Sequence, residues 1–278
     1  MITTTQGSAE DLTSKNTAAK EEFLRRLMHE MKSVLVAYSG GVDSAYLAVI
    51  ANQELGQNSH AYLGLSPSVS EFQRTEAAKI ARDFGIQLHT IETDEMGSAE
   101  YRANDAGRCY FCKSELYDKL STAARDLSAA FVIDGTNADD VRDVRPGRVA
   151  AAEAKVRSPL VEAGLGKEEI RQLSRRLGLP TWDKPASPCL SSRLARNVPV
   201  TIGRLRQVED GEDFLRSLGF REFRVRVHGE TVRLEIAKAE MSKAFAADTI
   251  EMLTARFRSL GFKFVTLDLE GFRSGSLN

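Results

Sequence analysis

Two spacings of apolar residues alternate along the chain and divide it into elements. Phe23, Leu24, Leu27, Met28 and Met31 recur at helical spacing and predict a helix over 18–32. The unbroken run Val34-Leu35-Val36-Ala37 predicts a buried parallel strand, and Ala45-Tyr46-Leu47-Ala48-Val49-Ile50 continues at helical length to about Gly56. Ala61-Tyr62-Leu63-Gly64-Leu65 reads as a second strand, 71–84 as a helix closed by Gly85, and 87–92 as a third strand. A helix over about 112–127 and a strand at Phe131-Val132-Ile133 follow, and 167–178 reads as a helix ending on Gly178. Repeated strand–helix units require a parallel sheet with right-handed crossovers.

Beyond residue 200 the pattern changes. Residues 201–218 are helical, 223–227 and 232–236 alternate at period two around a turn at Gly229-Glu230, 238–260 are helical, and 264–267 form a last strand. The predicted fold is therefore α/β, a doubly wound parallel sheet with strands 1 and 4 adjacent, followed by a small C-terminal α+β domain. The small polar residues of 1–17 predict a tail without order. The first domain covers 18–185 and the second 186–278, with the boundary in 180–200, which holds four of the seven prolines. Residues 138–160 carry charges (Asp139, Asp140, Asp143, Arg145, Arg148) but little periodicity.

The first strand runs into Ser39-Gly40-Gly41-Val42-Asp43-Ser44. Two glycines permit a tight turn whose N–H groups face one concave anion site, Ser39 and Ser44 add hydroxyls, and the following helix adds positive charge at its N-terminus. With no lysine it is not a Walker A loop. It resembles the PP-loop of ATP pyrophosphatases, which grips the pyrophosphate of ATP while the α-phosphate is attacked. Asp134-Gly135-Thr136-Asn137 is a second turn at a strand's carboxyl end, and adjacency of strands 1 and 4 would put Gly135 beside the first loop for a base or ribose contact.

Composition narrows the class. A chain of 278 residues that is 42% hydrophobic and 28% charged can bury a core, and a net charge of −1 argues against nucleic-acid binding through bulk electrostatics. With no apolar run of membrane-spanning length and no apolar N-terminal signal region, the protein is expected in the cytoplasm, away from membranes. Three cysteines fit a reducing compartment. Cys109 and Cys112 sit in Arg-Cys-Tyr-Phe-Cys-Lys and Cys189 in Ser-Pro-Cys-Leu-Ser-Ser-Arg. Three thiolates suit a [4Fe–4S] cluster with one iron lacking a protein ligand; zinc with a fourth ligand, a redox Cys-x-x-Cys, or three unrelated thiols are the competing readings. The four histidines show no ligand spacing. On the polar face of the C-terminal hairpin, Arg224 and Arg226 lie beside Arg233 and Glu235, either as a grip for a phosphorylated, carboxylate-bearing substrate or as a solvated face.

Ser39 to Ser44, Asp143-Val144-Arg145-Pro146-Gly147, Arg157-Ser158-Pro159-Leu160, Ser192-Arg193, Val225-Arg226-Val227-His228 and the ending Thr266-Leu267-Asp268-Leu269-Glu270-Gly271-Phe272-Arg273-Ser274-Gly275 together resemble the LarE family, from about residue 20 onward. This family inserts sulfur, at the cost of ATP, into the nickel-pincer cofactor precursor. The resemblance implies adenylation of a carboxylate of pyridinium-3,5-biscarboxylic acid mononucleotide, release of pyrophosphate, and displacement of AMP by sulfur to give a thiocarboxylate. Magnesium would bridge the phosphates. By the same resemblance Ser39, Gly40, Gly41, Asp43 and Ser44 hold ATP; Lys113, Ser192, Arg193, Arg224 and Arg226 line the mononucleotide; and Glu212 and Glu235 lie near it. Many members sacrifice one cysteine as sulfur donor, but Pro188 stands at that position here and Cys109 where those members have tryptophan. The chain instead resembles the three-cysteine subgroup, in which Cys109, Cys112 and Cys189 hold a [4Fe–4S] cluster that delivers sulfide or sulfur from another donor over repeated turnovers. A homo-oligomer is also implied. A PP-loop tRNA thiolase, an ammonia-using synthetase of the NAD or GMP synthetase type, and a zinc-closed ATP-sensing protein are the alternatives.

Overall fold

In a computed structural model, described over residues 6–142, 146–185 and 187–273 (side chains of 6–14 and 142 apart), helices and strands alternate as the periodicity requires. The first half runs α1 (Gln6–Met31), β1 (Val34–Tyr38), α2 (Val42–Leu55), β2 (Ser59–Leu65), α3 (Glu71–Asp83), β3 (Leu88–Glu92), α4 (Ala99–Ala103), α5 (Arg108–Asp126) and β4 (Phe131–Asp134). The second runs α6 (Pro146–Glu153), α7 (Pro159–Glu162), α8 (Lys167–Arg176), α9 (Ile202–Ser217), β5 (Phe223–His228), β6 (Thr231–Ile236), α10 (Met241–Ala244), α11 (Ala247–Ser259) and β7 (Phe264–Leu267). Two compact units result: Met1–Leu65 with Glu71–Thr93 and Lys113–Lys184, and Ser66–Ser70 with Asp94–Cys112 and Pro185–Asn278.

The first unit is the α/β half. Its sheet is parallel with order β3-β2-β1-β4, so β1 lies between β2 and β4. Every residue of β1 is buried, which is why its sequence does not alternate. Helix α2 is buried continuously from Ser44 to Ala51, the signature of a helix covered on all sides. Leu24, Leu27, Met28 and Met31 of α1 and Ile170 and Leu173 of α8 join it in one core.

The second unit has its own core, built on the sheet β5-β6-β7. β5 and β6 pair antiparallel, with Arg224 opposite Glu235 and Arg226 opposite Arg233, while β7 runs parallel to β6. Val225, Val227, Val232 and Leu234 point into the core with Leu205 and Val208 of α9. The arginines therefore take the other face, as period two demands.

Several expectations are corrected here. Helix α1 begins at Gln6, so the tail expected without order over 1–17 is helical from that residue, and 1–5 lie outside the described residues. Helix α5 starts at Arg108, four residues earlier than read from the apolar spacing, and takes both Cys109 and Cys112 into its first turns. Residues 138–160 contain α6 and the start of α7, and Asp143-Val144-Arg145 of the motif read there lie outside the described residues, as do Ser274-Gly275. The helix expected over 238–260 is broken into a 3-10 turn, α10 and α11. Ser66–Ser70 and Asp94–Cys112, which 18–185 placed in the first domain, belong to the second unit because Met96, Tyr101, Phe111 and Cys112 pack into its core.

Candidate functional site

The loop after β1 is held open by its own side chains. The Ser39 amide donates to Ser44 Oγ at 3.2 Å, the two serine hydroxyls are 3.0 Å apart, and Ser44 Oγ donates back to the Gly41 carbonyl at 3.2 Å. Gly41 is the N-cap of α2 in extended conformation and has no side chain to cap it, leaving the first-turn N–H groups for an outside acceptor. Gly40 has φ of +73°, and a Cβ there would lie 2.6 Å from Ala77 Cβ and 2.9 Å from Ala77 Cα. Both the dihedral and the space demand glycine. Gly40→Ala is expected to displace the loop and lower ATP-dependent AMP formation by roughly 100-fold, measured as AMP release at saturating substrate; a rate within a factor of about 2 of wild type would refute the loop's role.

Gly135 stands where β4 meets α2. A Cβ there would lie 2.8 Å from Ser44 N and 3.0 Å from Ser44 Cα, so the two turns touch backbone to backbone. The β4 turn is tied down by the buried Asp134 carboxylate. It accepts from Tyr117 Oη (3.0 Å), Thr136 Oγ1 (2.9 Å), Thr136 N (3.2 Å) and Ser158 Oγ (2.8 Å). Ser158 of the Arg-Ser-Pro-Leu motif is thus a strut for this turn. Asp43 is met by Asn137 Nδ2 at 3.4 Å and by the Lys167 ammonium. Lys167 is 124 residues away in sequence and opens α8, with its own N–H fixed to Asp139 Oδ2 at 2.7 Å. It brings a cation to a loop that has none of its own, and its only sequence signal was the start of a helix. Lys113, in the same unit, lies over the Tyr117 ring at 5.3 Å.

The second unit holds all three cysteines. Cys109 is exposed and Cys112 and Cys189 are half-buried. Tyr101 lies in electrostatic reach of Cys112 and Cys189, and Arg108 in reach of Cys109 and Cys189. Burial alone would lower the Arg108 pKa, but Cys189 and Cys109 outweigh it and raise the net value. Burial raises the Tyr101 phenol. Three soft thiolates in one unit are the donor chemistry of an iron–sulfur cluster, which takes each thiolate on a separate iron. Among the described residues no three His, Cys, Asp or Glu side chains gather for a single metal ion.

The turn after Cys189 is locked to the sheet. Ser192 Oγ donates to the Cys189 carbonyl at 2.7 Å. Arg193 reaches the Pro188 and Cys189 carbonyls through Nη1 (2.5 and 3.2 Å), and binds Glu212 with Nε (2.9 Å) and Nη2 (3.2 Å). Arg193 is only 3% exposed, so its fork is committed to holding this turn. Glu212 also accepts from Val225 N at 3.4 Å, which carries the connection into β5. Arg226 donates to the Ser192 carbonyl (3.1 Å) and to Glu235 (3.1 Å), and Arg233 reaches the same carboxylate at 2.9 Å. Arg224 lies 4.8 Å above the Phe272 ring. Burial and the neighbouring Arg193 and Arg226 guanidiniums push its pKa down to about 10 despite Glu212 and Glu235. Such a field penalises the cations and favours an incoming anion. His228 ends this row; burial, then Arg233 and Arg226, lower its pKa, and its Nε2 is buried without a partner.

A pyridinium-3,5-bisthiocarboxylic acid mononucleotide synthase of Lactiplantibacillus plantarum is 34% identical over 262 residues, spanning 94% of each chain. The chain belongs to this family, the LarE family. An uncharacterized Synechocystis protein is 44% identical across 94% of this chain and 97% of its own. A subunit of the glutamine-hydrolyzing GMP synthase of Pyrococcus furiosus is 27% identical over 58% of this chain and 56% of its own. The NAD synthase family profile matches residues 17–116, which include the Ser39 to Ser44 loop. This LarE-family chain is thus an ATP-using PP-loop enzyme of sulfurtransferase type.

Within it, Ser39, Gly40, Gly41, Asp43, Ser44 and Gly135 come together in the first unit, and Lys113 shares that unit. Cys109, Cys112, Cys189, Ser192, Arg193, Glu212, Arg224, Arg226 and Glu235 share the second. Sequence reasoning missed Lys167, Tyr101 and Arg108. Among the described residues no helix is long and apolar enough to cross a membrane.

Proposed function

We propose that the protein converts a carboxylate of pyridinium-3,5-biscarboxylic acid mononucleotide to a thiocarboxylate. ATP with Mg2+ adenylates the carboxylate and releases pyrophosphate; sulfur attacks the acyl carbon and AMP leaves with the C–O bonding pair. The observation that carries this reading is the fastening of the cysteine turn to the guanidinium face. Arg193 and Ser192 hold the Cys189 carbonyl, and Arg226 holds that of Ser192. A sulfur-bearing residue and an anion-attracting surface are thereby one rigid construction. Hard phosphate oxygens suit Mg2+, and the Ser39 to Ser44 loop with Lys167 offers N–H, hydroxyl and ammonium groups to a pyrophosphate.

Cys109, Cys112 and Cys189 would hold a [4Fe–4S] cluster. When bound, it supplies an iron without a protein ligand as the carrier of sulfur. The protein's own residues do the rest: Arg224 and Arg226 bind and orient an anionic mononucleotide, and Arg193 and Glu212 keep Cys189 in place. The enzyme would work in the cytoplasm as a homo-oligomer. The partial match to the GMP synthase subunit favours one second reading, amide formation with ammonia as nucleophile.

The test is iron and acid-labile sulfide content with the visible spectrum, on protein purified or reconstituted without oxygen. About four irons per chain, lost together when any one cysteine is replaced, is the expected result. No iron after reconstitution, with ammonia and not sulfide supporting AMP formation, would replace this reading with the second.

A further inference from the structure

Arg108 opens α5, immediately before Cys109, and its guanidinium is fixed on two sides. Nη1 donates to Asn104 Oδ1 at 2.5 Å and to the Ser191 carbonyl at 2.7 Å, while Nη2 faces Cys109 Sγ at 3.8 Å. The Asn104 orientation is not arbitrary. Its amide nitrogen is spent on the Ala195 and Val198 carbonyls at 2.9 and 2.8 Å, which turns its oxygen to Arg108. Asn104 is 2% exposed and sits at φ of +56°, a left-handed position that asparagine tolerates.

Ser191 belongs to the Cys189 turn. Its hydroxyl is 3.1 Å from Cys189 Sγ and accepts from Tyr101 Oη at 3.1 Å, and Tyr101 Oη lies 2.5 Å from Ser68 Oγ. Arg108 therefore ties the Cys189 turn to the first two turns of α5, where Cys109 and Cys112 sit. Its oxygen partners, an amide and a carbonyl, are neutral. A half-buried guanidinium with only neutral oxygen partners is costly unless an anion balances it; of the ionisable groups beside it, burial holds the Tyr101 phenol toward its neutral form, which leaves the Cys109 and Cys189 thiols.

We propose that Arg108 is the fixed counter-cation of Cys109 and Cys189, a positioning residue that fastens Cys109 to the Cys189 turn and balances the negative charge of the sulfur they carry. This rests on the reading of the cysteines as cluster ligands. Two consequences follow. A cation at this distance stabilises the more negative, reduced state of a bound cluster and so raises its reduction potential. It also draws anionic reagents, hydrosulfide among them, toward Cys109.

The test uses the full chain with Arg108→Gln and Arg108→Lys. In reconstituted protein the midpoint potential, read by EPR-monitored titration, should fall in the Gln variant and stay near wild type in the Lys variant. In metal-free protein, the rate of Cys109 alkylation by iodoacetate is divided by that by iodoacetamide. Both reagents attack the same thiolate, so the ratio isolates charge from thiol ionisation. It should drop roughly tenfold in the Gln variant, the factor set by a charge interaction of ~1.4 kcal/mol, and recover in the Lys variant. A Gln variant that fails to load iron while the Lys variant loads it supports the counter-cation. An unchanged potential in a fully loaded Gln variant, or an unchanged alkylation ratio, overturns it. If the wild type itself takes up no iron, the cluster reading fails, and the alkylation ratio decides Arg108 independently.

Discussion

Cys189→Ala is expected to abolish thiocarboxylate formation while adenylation continues in the presence of the mononucleotide, seen as pyrophosphate release and as AMP freed when water attacks the acyl-adenylate. The expectation rests on the ATP loop and Cys189 belonging to different units. The Ser39 to Ser44 loop is built from β1, α2 and the Gly135 turn, all on the core of the first unit. Cys189 lies in the second unit, and its turn is held through its carbonyl by Ser192 and Arg193, not through its sulfur. The thiol contacts the Ser191 hydroxyl and is half-buried, so alanine costs on the order of 1 kcal/mol in stability. Product analysis by mass spectrometry alongside AMP quantitation checks this. Loss of both products in a folded variant would contradict the division of labour.

Glu235→Ala should destabilise the second unit by about 3–5 kcal/mol. The carboxylate is fully buried and balances Arg226 at 3.1 Å and Arg233 at 2.9 Å. Arg226 is itself 6% exposed, and Arg224 on the same face already carries a cation disfavoured by burial. Removing the anion takes away the carboxylate that Arg226 and Arg233 share and leaves Arg233 with Asp268 at 3.6 Å, in a sheet whose opposite face is the core. Denaturant titration should show an earlier transition for the second unit, with the first unit's transition in place. A change below about 1 kcal/mol would mean that the network is solvated and the face a mere charged surface.

The Ser39 to Ser44 loop was legible because its signals are local. An unbroken apolar run, a Gly-Gly turn and a helix-length continuation lie within one stretch of chain, and strand, loop and helix occupy it as expected. The placement of Arg224 and Arg226 on one face was equally local, since a strand's alternation fixes it. The assignment of Cys109 and Cys112 to the second unit was not legible. It depends on Met96, Tyr101 and Phe111 finding the second core, a tertiary choice that leaves no period in the sequence. Lys167 escaped for a similar reason: its meeting with Asp43 joins distant elements. Arg193 shows the converse limit. Ser-Ser-Arg reads as a ligand-gripping motif, and what the motif did not signal is the buried guanidinium's second task of holding Cys189 and Glu212 together.

The most direct measurement is product stoichiometry under anaerobic conditions, with ATP, Mg2+, the biscarboxylic mononucleotide and excess sulfide. The account predicts thiocarboxylate well in excess of protein chains, AMP formed in step with it, and Cys109, Cys112 and Cys189 intact by peptide mass at the end. Product that stops at one per chain with a cysteine converted to dehydroalanine, or AMP formation without any gain of sulfur for oxygen in the mononucleotide, would contradict it.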